Sequence, residues 1–196
     1  MIADLGEWVL RQACRQNRAW QEAGLPNVTV AVNVSPRQIR EKDFLVKIGS
    51  ALETSELESR WLELEITEGV IIEDIERAIA TLSDIKAMGV QLSIDDFGTG
   101  YSSLSVLKRL PLSRLKIDRS FVSNLEHDGS DRAIATAVIS LGRELQLKVI
   151  AEGVETEEQM RFLKENRCDE MQGYYFSRPV EPRAIAALLA EGTRPA

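Results

Sequence analysis

The 196-residue sequence has one histidine and two cysteines, and these scarcities exclude whole classes of chemistry. The histidine, His127, lies in Leu-Glu-His-Asp-Gly, so neither a histidine-rich metal centre nor a Ser-His-Asp hydrolase has the residues it needs. It reads as a solvated loop residue. Cys14 and Cys168 are far apart and in no metal-ligand spacing, which excludes a disulfide framework, fits a reducing compartment and makes both core residues. No apolar run approaches the roughly 20 residues of a membrane span. The acidic, amphipathic start also lacks the basic-then-apolar order of a signal peptide. The segment therefore reads as cytoplasmic, without membrane contact. Positive charge is short as well: a formal net charge of −7 offers no broad basic surface to DNA or RNA, so an anionic substrate would need metal ions to meet it.

What is present is ordinary in bulk, with 44% apolar and 28% charged residues, enough for one filled core and one domain. Apolar spacing of three and four predicts a helix over residues 4–23, closed by Gly24 and Pro26. Strands are expected over 28–34, 61–68, 90–94, 112–118, 148–152 and 168–174. Helices are expected over 37–52, 72–87, 101–110, 131–145, 157–165 and 182–189. Such alternation means parallel strands joined by crossover helices, with no linker and no low-complexity segment. Two α/β architectures fit, an open doubly wound sheet and a closed (β/α) barrel. Asn33, Glu65, Asp95, Asp96, Lys116, Glu152 and Gln172 all fall at or next to strand carboxyl ends. A barrel gathers those ends into one pocket, whereas an open sheet spreads them along a line, so a TIM-like barrel is favoured. Closure takes eight strands and six are counted, which makes the barrel incomplete.

The densest chemistry lies in Val90-Gln91-Leu92-Ser93-Ile94-Asp95-Asp96-Phe97-Gly98-Thr99-Gly100, where an alternating strand ends in two acids and a glycine-bearing loop. Adjacent residues at a strand end point to different sides, so the two carboxylates are suited to two neighbouring cations. Each polar residue also has a structural explanation: Asn33 as a helix cap, Glu65 as a solvent-facing position, Asp118 as a turn cap, Lys116 as an ion-pair partner of the acids. Together they point elsewhere, because several carboxylates at one barrel end need cations or donors to offset their charge. Oxygen ligands without His or Cys select Mg²⁺ or Mn²⁺ over Zn²⁺. Lys116 adds a fixed positive charge for a phosphate oxygen or an attacking water. Two hard cations, an acid and a lysine equip a site to hydrolyse a phosphodiester.

Six segments carry a resemblance to a known family: Asn33-Val34-Ser35, Glu65-Ile66-Thr67-Glu68, Asp95 through Leu104, Leu115-Lys116-Ile117-Asp118, Ala151-Glu152-Gly153-Val154-Glu155 and Gln172-Gly173-Tyr174. In this order they closely resemble the motif series of EAL-domain phosphodiesterases, which hydrolyse cyclic di-GMP to linear pGpG in bacterial signalling that governs biofilm formation and motility. The resemblance spans nearly the whole of residues 1–196. It implies that Asn33, Glu65 and Asp95 bind a first Mg²⁺ or Mn²⁺ ion, that Asp95 and Asp96 bind a second, and that Glu152 and Lys116 position or activate the attacking water. It implies further that Gln172 lines the site, that Glu155 stands behind Glu152, and that Glu68 holds the loop after Asp96, coupling metal binding to a homodimer. Tyr174 and Phe176 are open to two readings, stacking on a guanine or packing at the barrel end. An upstream sensory or GGDEF-type domain is also implied.

The sequence departs from that family at one point: the Glu-Ala-Leu tripeptide, whose glutamate is a ligand of the first metal, occurs nowhere in it. The start at Met1 resembles the helix that follows the family's first two strands, so the segment reads as the C-terminal three quarters or so of the family domain. Strand edges left unpaired at 28–34 and 168–174 invite pairing with another chain. The expected functions are then a phosphodiesterase impaired by a missing ligand, or an inactive EAL-type module that binds cyclic di-GMP or a protein. A third, an enolising metal enzyme on a barrel, leaves the motif order unexplained.

Overall fold

The computed structural model describes residues 2–71, 75–100 and 104–192. They fall into two compact units, Met1–Leu92 with Val180–Ala196, and Ser93–Pro179.

In the first unit, α1 (Ile2–Glu22) lies against β1 (Val30–Val34) and α3 (Phe44–Ser55). Leu10 and Cys14 on its inner face are buried, as three-and-four spacing requires. Asn17 is fully buried because its amide nitrogen donates to the carbonyls of Val28, at 2.9 Å, and Trp61, at 3.1 Å, binding the helix to the starts of two strands. Short α2 (Pro36–Ile39) follows β1 directly, with Pro36 at its first position and a capping box made by Ser35 and Gln38. β2 (Leu62–Thr67) pairs with β1 in parallel, Asn33 opposite Glu65, and leads into a 3₁₀ turn at Glu68–Ile71 and then α4 (Ile75–Ala87).

β3 (Gln91–Phe97) enters the second unit at Ser93 and is followed by α5 (Leu104–Leu107), β4 (Arg114–Ile117), α6 (Arg119–Ser123), α7 (Gly129–Glu144), β5 (Lys148–Ala151), α8 (Glu157–Glu165) and β6 (Glu170–Met171). β4 pairs in parallel with β3 and with β5, and β6 pairs with β5. The final helix, α9 (Pro182–Ala190), belongs to the first unit, where the Trp20 indole donates to the Pro182 carbonyl at 3.3 Å. Strand order is β1-β2-β3-β4-β5-β6. A parallel sheet whose order follows the sequence without reversal is the progression of a barrel rather than of a doubly wound sheet. The barrel is not closed: β1 and β6 end the order.

Several expected boundaries move. The helix expected over 37–52 is two helices, because Arg40-Glu41-Lys42-Asp43 offers four charged residues and nothing to bury. α6 was not expected; Asp118 caps it by accepting from the Ser120 amide at 3.0 Å. The last strand shrinks to Glu170–Met171, although Gln172 still donates its amide to Ala151 at 2.8 Å. Expected helix starts at 72 and 101 lie outside the described residues. Cys14 and Cys168 are buried free thiols, burial pushing each up to about 11. His127 is exposed. None of the described helices is long and apolar enough to cross a membrane.

Candidate active site

The polar centre of the second unit is built by two strands and the loop after a third. In β3, Leu92, Ile94 and Phe97 are buried and pack the apolar side, which fixes where Ser93 and Asp95 stand. The register against β4 slips between Ile94 and Phe97, so β3 carries one residue more than its partner there, and Asp96 takes a left-handed φ of 54°. This bulge corrects the expectation that the two acids diverge. Carboxylate oxygens of Asp95, Asp96 and Glu152 all lie within 4.8 Å of one another, and the Asp96 amide donates to Asp95 at 3.1 Å.

Lys116, in β4, is 3% exposed, and its Nζ stands 3.1 Å from Asp95 Oδ1 and 2.7 Å from Glu152 Oε1. A buried ammonium is tolerable only with such partners. Glu152 follows β5, its amide donating to the Ile117 carbonyl at 3.2 Å, and accepts from the Gln172 side-chain amide at 3.4 Å. Gln172 is placed by backbone bonds on both sides, since its carbonyl also accepts from Val154 at 3.0 Å. Gly173 permits that approach, because a Cβ there would meet Val154 backbone atoms at 2.1–2.7 Å.

Two of the acids shift in opposite directions. Burial raises the Asp96 carboxyl above its usual range, and the Asp95 charge and a hydrogen bond to Asp118 raise it further. Asp118 moves the other way: burial would push it up, but hydrogen bonds from the Ser120 hydroxyl and amide and from Asp96 outweigh it. Asp118 is the site neighbour that spacing read only as a turn cap. It performs that capping and also faces Asp96; its signal was its place two residues after Lys116.

Glu155 does not join the acid trio; it pairs with Arg119 at 2.7 Å. In the first unit, Asn33 is exposed while Glu65 beside it in register is buried, so the solvent-facing reading of Glu65 fails. Glu68, also buried, starts the 3₁₀ turn. Residues 101–103 of the loop assigned to it lie outside the described residues. Buried Glu63 was missed. Tyr174 is half exposed, with the Arg178 guanidinium 4.7 Å from its ring centre.

The three carboxylates beside Lys116 are hard oxygen donors placed closely enough to hold a divalent cation.

A family model described as "EAL domain" matches residues 1–179. The bifunctional diguanylate cyclase/cyclic di-GMP phosphodiesterase MucR of Pseudomonas aeruginosa is 46% identical over 190 residues, covering 97% of this chain and 28% of MucR. Cyclic di-GMP phosphodiesterase NbdA of the same organism is 46% identical over 189 residues, 96% of this chain and 24% of NbdA. The chain thus spans about a quarter of these relatives. The solved structure of the PaMucR phosphodiesterase in complex with c-di-GMP superposes with a TM-score of 0.91, covering 94% of this chain and 74% of that one. A manganese/cyclic di-GMP complex of BlrP1 from Klebsiella pneumoniae gives 0.81 at 28% identity, over 90% of this chain and 45% of that one.

Proposed function

The chain belongs to the EAL domain family, and from that premise we propose that residues 1–196 form one EAL domain that hydrolyses cyclic di-GMP to linear pGpG. The observation that carries the reading is Lys116, buried between Asp95 and Glu152 with Asp96 beside them. Asp95 and Asp96 would hold divalent metal in this unit, with Glu152 beside them for the attacking water, and the family resemblance adds Asn33 and Glu65 as ligands. Two bound Mg²⁺ or Mn²⁺ ions would supply positive charge to the phosphate oxygens and to the attacking water.

The chain's own residues do the rest. Glu152 accepts a proton as the water oxygen bonds to phosphorus, the phosphorus–O3′ bond breaks, and the departing O3′ takes a proton from solvent, leaving a 5′-phosphate and a 3′-hydroxyl. Lys116 holds and orients Glu152 through the 2.7 Å ion pair, and its positive charge would offset the negative charge that grows on the phosphate. Gln172 donates to the same Glu152 oxygen, Oε1, that Lys116 holds. Regulation through a homodimer, with Glu68 coupling the loop after Asp96 to it, and an upstream sensory or GGDEF-type domain belong to the same proposal. The cyclase half in MucR's name supports the upstream domain.

The test is chromatographic detection of pGpG from cyclic di-GMP and Mg²⁺ with the full-length protein, alongside Glu152→Gln and Lys116→Ala. Loss of turnover by about a hundredfold or more in both variants is expected. Absence of pGpG with the unaltered protein overturns the reading. Nucleotide binding by calorimetry without hydrolysis would then identify a receptor.

A further inference from the structure

We propose that Arg119 is a positioning residue of this site, a clamp that fastens the loop carrying Glu152 to the loop carrying Asp118; it rests on the hydrolytic reading above. Two contacts make the clamp. The guanidinium Nη2 stands 2.7 Å from Glu155 Oε1, three residues beyond Glu152. The Arg119 stem lies on Gly153, the residue directly after Glu152, where a Cβ would sit 2.3 Å from its Cγ and 2.9 Å from its Cβ. Gly153 also has a φ of 72°, so the turn after Glu152 needs glycine both for its backbone and to admit the arginine.

The rest of that loop is anchored without Arg119. Val154 is fully buried and its amide donates to Gln172; the Glu155 amide donates to Gln159 Oε1 at 2.7 Å; Thr156 and Gln159 form a capping box. The free joint is the peptide pair between Glu152 and Val154, and Arg119 spans it. At its other end Arg119 adjoins Asp118, whose carboxylate is pinned by the Ser120 hydroxyl and amide and faces Asp96. One side chain therefore sets the spacing of two loops that both present acids to the site.

Stability does not account for the pair. Its side chains are 61% and 42% exposed, and such surface pairs add little to stability. What remains is geometry, where small misplacements of a proton acceptor slow chemistry far more than they weaken a fold.

Hydrogen exchange followed by mass spectrometry, on the unaltered protein and on Arg119→Ala, tests the clamp without reference to activity. Amides of residues 152–155 should exchange several-fold faster in Arg119→Ala. Those of β4 and β5, and the melting temperature, should not move. In turnover assays of the full-length protein, kcat should fall about tenfold in Arg119→Ala with KM within about twofold. Arg119→Glu should be worse, and the double exchange Arg119→Glu with Glu155→Arg should recover most of the loss. Unchanged exchange at 152–155, or a charge-exchanged pair no better than Arg119→Glu, overturns the proposal. An unaltered protein that makes no pGpG sinks the hydrolytic reading instead, while the exchange result still decides the clamp.

Discussion

At the scale of single residues, Lys116 decides most. Replacing it by alanine removes the ammonium that stands between Asp95 and Glu152, whose side chains are 12% and 17% exposed. Breaking such a pair costs about 3 kcal/mol when the survivors stay largely buried. Urea denaturation of Lys116→Ala should show that loss, and added Mg²⁺ should recover part of it, because a divalent cation answers the same repulsion. A variant as stable as the parent would mean that water already neutralises these acids. The cysteines give a second test. With thiols raised from 9.0 to about 11, the thiolate fraction at pH 8 is about one in a thousand, against about one in ten for an exposed thiol. Iodoacetamide should therefore spare Cys14 and Cys168 in the native protein and label both in urea. The sign for stability follows: the folded thiols keep their protons above pH 9.0, where unfolded ones lose them, so this contribution is whole below 9.0 and is lost as pH climbs toward about 11. Lys116, Glu152, Asp95 and the buried thiols were legible from residue type and position. The convergence of Asp96 on Asp95 was not, because a one-residue register slip leaves no mark in composition or period.

At the scale of elements, legibility followed how strongly local chemistry fixed an end. α8 was read over residues 157–165, where Thr156 and Gln159 supply a complete capping box before an amphipathic run. The region 37–52 was misread because apolar spacing resumes at Phe44 after Ile39 and hides the charged break between them. Packing can also reverse a local preference, and Gly142 in α7 is the place to measure it. Alanine there should favour the helix by about 1 kcal/mol. Yet a Cβ would lie 2.2 Å from the Val149 Cγ2 in β5, and overpacking of that kind costs about 1–3 kcal/mol. Gly142→Ala should therefore lower stability by about 1 kcal/mol in urea denaturation. A gain would show that α7 can move off β5 without loss.

At the scale of the whole molecule, the strand count and the missing tripeptide bear on the same question. A sequential parallel order closes into a barrel at eight strands, and here it runs from β1 to β6. The exposed Ala31 and Asn33 of β1 stand at one end of that order. The proposal that two strands, one bearing a Glu-Ala-Leu glutamate, complete such a domain can be tested, because a hard cation with few protein ligands loses much when one carboxylate is absent. Residues 1–196 alone should therefore turn over cyclic di-GMP at least about tenfold more slowly than a form carrying those strands, and should need a higher Mg²⁺ concentration for half-maximal rate. Open edges add a second signature: the shorter form should self-associate with rising concentration in sedimentation velocity, and the longer form should do so less. Equal rates and equal Mg²⁺ requirements would mean that the ligands within residues 1–196 suffice for the metal, and that a Glu-Ala-Leu glutamate is dispensable to it.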